Sequence, residues 1–138
     1  MKVKFKEIRV DTSDRVQLVD VTDLVENFVR ESGISDGLCL IYSPHSTTAI
    51  IVNEKESGLM KDILAKVRRD FPAGAGWLHD RVDDNAHSHL ASTFIGSSTT
   101  FPVKNASLLK GTWQNIFLLE MDGPRARRLV VEVLGTCR

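Results

Sequence analysis

Neither sign of charge is in excess in this sequence: 18 lysines and arginines stand against 18 aspartates and glutamates. Chains that bind DNA or RNA carry a basic excess or a basic stripe, so this balance argues against a nucleic-acid partner while leaving room for a local anion site. A run of about 18 apolar residues is also lacking, so no membrane-spanning helix is expected. The opening MKVKFKEIRV has none of the apolar core of a signal peptide, and its alternation reads as a strand. Cysteine is scarce. Cys39 and Cys137 lie far apart in apolar stretches, without CxxC spacing. The expectation is two buried thiols in a reducing cytoplasm, with neither a disulfide nor a cysteine metal site. Low-complexity segments and internal repeats are absent as well.

What is present fits one globular domain over residues 1–138, with 42% hydrophobic and 26% charged residues. Period-two alternation predicts a strand over 2–10, a turn at DTSD (11–14) and a second strand RVQLVD, the two forming a hairpin. Val21, Leu24, Val25, Phe28 and Val29 recur at helical spacing, with Asp20 as N-cap and Gly33 as stop. GLCLIYS (37–43) and TTAIIVN (47–53) read as largely buried strands. Leu59, Ile63, Leu64 and Val67 mark a second helix ending near Pro72, followed by the loop PAGAGW. A short helix after Asp83 or Asp84 carries Ala86, Leu90, Ala91 and Phe94, with Leu90 and Phe94 turned toward the core. Strands follow over 97–103, 113–121 and 127–135, and Pro102 makes its strand an edge or a bulge. The order predicts an α+β fold: a mostly antiparallel β-sheet or sandwich with two main helices and a short histidine-bearing helix. The last three strands have no crossover helices between them, which disfavours parallel winding.

HDRVDDNAHSHLAS (79–92) holds three of the four histidines. Histidine is the commonest metal ligand, and a catalytic zinc takes three protein ligands and leaves one position open. His79, His87, His89 and the distant His45 can supply such a set. Surface and capping roles suit a lone histidine better than three in one polar segment. On a helix, positions two apart diverge by about 200°, so His87 and His89 cannot both face one site. Leu90 and Phe94 place His89 at the rim of the core and leave His87 on the surface. Asp80, Asp83 and Asp84 are helix caps, or partners that orient an imidazole. Carboxylates alone would favour magnesium; a three-histidine set favours zinc.

His45 opens SPHSTTAIIVNE, a polar junction between two buried strands, where sites are commonly built. Thr47 there and Asn53 at the far end of the strand are candidate substrate contacts. Glu54 is a candidate general base beside His45, with helix charging as its competing role. Ser46 has no GxSxG context, which argues against a hydrolase nucleophile. In GTWQNIFLLEMDGPRARR, Trp113 and Gln114 begin a strand and are further substrate contacts. Arg125, Arg127 and Arg128 form a basic patch able to hold phosphate, with Arg125 the first candidate and Lys104 and Lys110 weaker ones.

Taken together, HSTTAIIVNE, HD…DDNAHSHLASTFIGSS and GTWQNIFLLEMDGPRAR resemble the YjbQ (UPF0047) family from about residue 38 to 135. The resemblance implies a sandwich-like α+β domain, a homotrimer, and a metal-capable site matched by His45, His79 and His89. Glu54, Trp113 and Gln114 also match, whereas His87 falls where the family pattern varies. Two departures stand out: Ala106 replaces a usual glycine, and the stretch from His79 to Asp83 is shorter than in some members. The family is similar to secondary thiamine-phosphate synthases, which join a pyrimidine diphosphate to a thiazole phosphate and release diphosphate. A divalent metal (zinc favoured, magnesium the alternative), a small phosphorylated ligand and a transferase activity are therefore expected. The alternative is a non-catalytic small-molecule or metal-binding trimeric module.

Overall fold

Alternating and continuous apolar runs sort into two antiparallel sheets in a computed structural model, which describes residues 1–137. The elements are β1 (Lys2–Asp11), β2 (Gln17–Asp20), α1 (Thr22–Ser32), β3 (Asp36–Tyr42), β4 (Thr48–Asn53), α2 (Ser57–Asp70), α3 (Ala86–Ile95), β5 (Ser98–Lys104), β6 (Ser107–Leu108), β7 (Asn115–Glu120) and β8 (Ala126–Thr136). One sheet runs β1-β8-β3-β5-β6 and the other β2-β7-β4. The fold is α+β, as the pattern predicts. Among the described residues, no helix is long and apolar enough to cross a membrane.

The main core lies between the sheets and under α1. Val25 and Val29 of α1 pack with Ile41, Val131 and Val133 of the large sheet and with Ile116 and Leu118 of the small one. Each such fully buried aliphatic side chain contributes on the order of 1.5–3 kcal/mol. β8 keeps the period-two rule, with Leu129, Val131 and Val133 inward and Val130, Glu132 and Leu134 only half-buried. The run IFLLE is continuous because β7 is buried on both faces. Its Leu119 meets Ala49, Ala91 and Met121 in a second cluster, against which Leu64 and Val67 of α2 and Ile95 of α3 pack.

Several expectations are corrected. β1 and β2 are not a hairpin: β1 pairs along its whole length with β8, and β2 pairs with β7 in the other sheet. The eleven-residue amphipathic β8 offers β1 ten paired positions, far more than the four-residue β2 could. Trp113 and Gln114 precede β7 in a turn closed by the Gln114 side chain accepting from the Gly111 N–H at 2.7 Å. Cys137 is exposed rather than buried, beyond the last strand. Cys39 is buried, and burial pushes its thiol up to about 12. Pro102 does sit near an edge, because β6 pairs only with Val103 and Lys104 of β5.

Candidate functional site

Three small segments converge at one end of the small sheet: the β3–β4 connection with His45, the start of α3, and the turn from β7 into β8. Small residues make that approach close. Ala86, Ser88, Ala91 and Ser92 are buried on the inner face of α3, and the Ser88 hydroxyl donates to the Met121 carbonyl at 2.6 Å. Phe94 does not turn inward as expected. It is 76% exposed and stacks on Phe71 of the α2 end, 5.9 Å between centroids. The small-residue face leaves no room for an aromatic ring beneath the helix. Asp80, not Asp83 or Asp84, caps α3 by accepting from the Ala86 N–H at 3.1 Å.

At the convergence lies a cleft of about 330 Å³, lined by His45, Thr47, Asn85, His89, Arg125 and Arg127 among others. Its anchor is a buried ion pair. Arg127 Nε donates to Glu120 Oε1 at 2.8 Å, and Nη2 donates to Glu120 Oε2 at 2.5 Å and to Thr47 Oγ1 at 2.9 Å. Thr12 adds a hydroxyl bond to Glu120 at 2.7 Å. These bonds engage Nε and Nη2 and hold the guanidinium rigidly at the wall of the cleft. Burial alone would raise the Glu120 carboxyl, but donation from Arg127, Thr12 and the Asp122 N–H outweighs it and holds the pKa below the ordinary value. Asp122, also buried, accepts from Asn85 Nδ2 at 2.9 Å and pairs with Arg125 at 3.2 Å.

His45 Nε2 accepts from the Arg128 N–H at 2.9 Å. That bond uses the Nε2 lone pair, so the ring proton belongs on Nδ1, which becomes a donor. Burial, then the Arg127 and Arg128 charges, hold the His45 pKa below its ordinary value and keep the ring neutral. His89 is the hinge of the region. It shares the cleft and an adjoining cavity of about 480 Å³ with His45, and a third cavity of about 420 Å³ with His79. The His79 and His89 rings meet edge to face, 4.7 Å between centroids.

A metal needs a free imidazole lone pair from each ligand, and His45 has given its Nε2 pair to a backbone amide. Among the described residues, no group of three or more His, Cys, Asp or Glu side chains is arranged to hold a metal ion. One chain therefore does not fit a three-histidine centre; it offers two neighbouring imidazoles, His79 and His89.

The remaining candidates separate in space. His45, Thr47, His89 and Arg125 line the cleft. Asn53 pairs with Asn115 at the end of β4 opposite Thr48, about 17 Å along the strand by its rise per residue. Glu54, Trp113 and Gln114 adjoin that far end in sequence, so a single chain does not bring them to His45. Glu54 is also not the cap of α2; Glu56 is, accepting from the Gly58 and Leu59 N–H groups. The basic patch divides too. Arg127 is buried, whereas Arg128 is exposed and pairs with Glu7 at 3.5 Å. Lys104 and Lys110 are occupied by Asp36 and Glu26. The pairing of Arg127 with Glu120, and the roles of Asn85 and Asp122, are not identified by motif. Alternation does carry a signal for Arg127, which shares the inward face of β8 with Leu129, Val131 and Val133.

Related proteins share this architecture. The family model described as UPF0047 protein YjbQ-like matches residues 6–136. A UPF0047 protein of Archaeoglobus fulgidus is 47% identical over 93% of this chain and 99% of its own length. A crystal structure of a YbjQ-like protein of unknown function from Sulfolobus solfataricus superimposes with a TM-score of 0.96 at 51% identity, covering 98% of this chain and 99% of that one. A hypothetical protein of Aeropyrum pernix gives a TM-score of 0.94 at 43% identity, over 96% and 99% of the two chains.

Proposed function

The chain belongs to the YjbQ-like UPF0047 family, and on that premise we propose that it acts on a small phosphorylated metabolite whose phosphate enters the His45–Arg127 cleft. The observation that carries this reading is the guanidinium of Arg127, fixed by Glu120 and Thr47 in a cleft that also holds Arg125 and His45. A preorganised guanidinium suits a phosphate because no side-chain ordering is left to do on binding. The neutral His45 supplies an Nδ1–H toward the ligand, and Thr47 is held in place by Arg127. The activity is a transferase reaction of the thiamine-phosphate synthase type, in which an oxygen of the departing diphosphate develops negative charge. Arg127 and the His45 Nδ1–H stabilise that charge. Titration of the purified chain with phosphorylated thiamine precursors, read by calorimetry and by release of diphosphate, tests the proposal. Saturable binding lost in His45→Ala and Arg125→Ala supports it. Binding without turnover selects the non-catalytic module, and no binding of any phosphorylated compound removes both.

A homotrimer is part of the reading. The outward face of the large sheet carries an apolar row, Val3–Leu134–Leu38–Pro102, set by the strand register. Val3, Phe5 and Leu38 on that face are each about half exposed, at 56%, 58% and 47%. Trp113 is 71% exposed at the far end of the small sheet. Assembly gives these apolar surfaces a partner and lets Glu54, Asn53, Trp113 and Gln114 of one copy approach the cleft of another. The expected divalent metal, zinc before magnesium, has His79 and His89 as its donors within one chain. Elemental analysis of wild type and His89→Ala decides it: bound metal that is lost in the variant supports the ion, and a metal-free wild type leaves the anion site alone. A cytoplasmic location accords with the buried Cys39 thiol.

A further inference from the structure

The divergence of His87 from His89 places His87 against a different cavity, on the other side of α3. At about 690 Å³ it is roughly twice the volume of the phosphate cleft. Phe71, Pro72, Ala73 and Val16 supply an apolar lining, and Arg15, Arg68 and His87 bring cationic and donor groups to it. His87 is not a free surface residue. Its Nδ1 is buried without a hydrogen-bond partner, so Nε2 is the nitrogen the ring can offer to the cavity. A half-buried imidazole with an unmet nitrogen is a cost that packing alone does not explain.

The charges there are unequally committed. Asp80 is engaged by the Ala86 N–H as the cap of α3, and Asp84 pairs with Arg15 at 3.7 Å. Arg15 also pairs with the buried Asp122 at 3.2 Å. Among the described residues no carboxylate pairs with Arg68, which lies in the last turn of α2 beside Phe71. Asp122 separates the two sites. It holds Arg15 on this side and Asn85 and Arg125 on the cleft side.

We infer that this cavity is a second small-molecule site, distinct from the phosphate cleft, that takes an aromatic anion. The flat body lies on the apolar wall at Phe71, and the carboxylate or phosphate group meets Arg68 and the His87 Nε2–H. The proposal does not depend on the function given to the His45–Arg127 cleft.

Phenyl phosphate and inorganic phosphate, titrated separately into the ¹⁵N-labelled protein and followed by backbone amide shifts, test it. Phenyl phosphate is expected to move the amides of Phe71, Ala73 and Gly74 saturably, whereas inorganic phosphate moves them far less because it lacks the apolar body. Arg68 is exposed at a helix end, so Arg68→Gln keeps the fold; it should weaken binding at these amides by about tenfold, the worth of one charge-assisted contact. The same substitution should leave any shifts at Ser46 and Thr47 unchanged, and Arg125→Ala should do the reverse. The inference fails if phenyl phosphate leaves residues 71–74 unmoved at millimolar concentration. It fails equally if Arg68→Gln binds as tightly as wild type.

Discussion

Glu120 has no solvent exposure and Arg127 has almost none, so each is tolerated only because the other is there. Truncating one leaves an unpaired charge in the interior. Glu120→Ala is therefore expected to lower stability by about 3–5 kcal/mol, read as a shift in the urea midpoint. The pH dependence has a definite sign. The folded Glu120 carboxyl titrates below its ordinary 4.5, so the unfolded chain binds that proton more readily. The stabilisation is complete above about pH 4.5 and is lost as the pH falls through the lower folded value. Unfolding free energy measured down this range should fall in wild type, and by less in Glu120→Gln. Backbone conformation makes a second position costly. Asn105 and Ala106 turn β5 into β6 with φ of +52° and +63°. A Cβ is disfavoured in that left-handed conformation, so Ala106→Gly should gain roughly 0.5–1 kcal/mol in thermal or urea unfolding. At this scale the sequence is partly legible. Helical geometry separates His87 from His89, but nothing in the motif marks the buried partner of Arg127.

The helix α3 teaches a lesson about elements. Its apolar residues Leu90 and Phe94 suggest a large-residue core face, yet the buried face is Ala86, Ser88, Ala91 and Ser92. Periodicity finds the helix and its buried Ala86 and Ala91 but misplaces Phe94, because small residues rather than large ones mark the close approach. Ala91 is 1% exposed against Ala49 and Leu119. Ala91→Leu is thus expected to destabilise by about 1–3 kcal/mol through overpacking and to displace His89 from the cleft. Phe94→Ala, on the outer face, should cost about 1 kcal/mol or less, and calorimetric unfolding of the two variants separates the faces. The strands show a parallel limit. Alternation locates β1, β2, β7 and β8 within a few residues, but pairing is decided by length and register across the chain. The nearest strand in sequence is a poor guide when β8 can match ten residues of β1.

For the molecule as a whole, the outer face of the large sheet sets the final prediction. Leu38 is flanked by Leu134 and Pro102 across the strands, and Val3 extends the row to the edge strand β1. Phe5 lies beside Glu132 and is itself exposed. An apolar stripe of this kind on a sheet with a free edge is a liability for an isolated chain unless it is covered. In the proposed trimer, three equivalent contacts would cover it and close the ring, so that assembly would stop at a defined size. Light scattering on the purified protein should give three times the mass of one chain. Leu38→Glu places a charge in the middle of the row without touching the core on the other face, so the variant should fold yet scatter as a monomer. If assembly also completes the site with Glu54 and Trp113 from another copy, ligand turnover falls with the trimer while binding at residues 71–74 persists. Sequence alternation identifies which side chains of β1 and β3 point outward, but it cannot tell solvent from a neighbouring copy. The register adds that these outward side chains line up across four strands as one row, and the scattering mass of wild type and Leu38→Glu then decides what covers it.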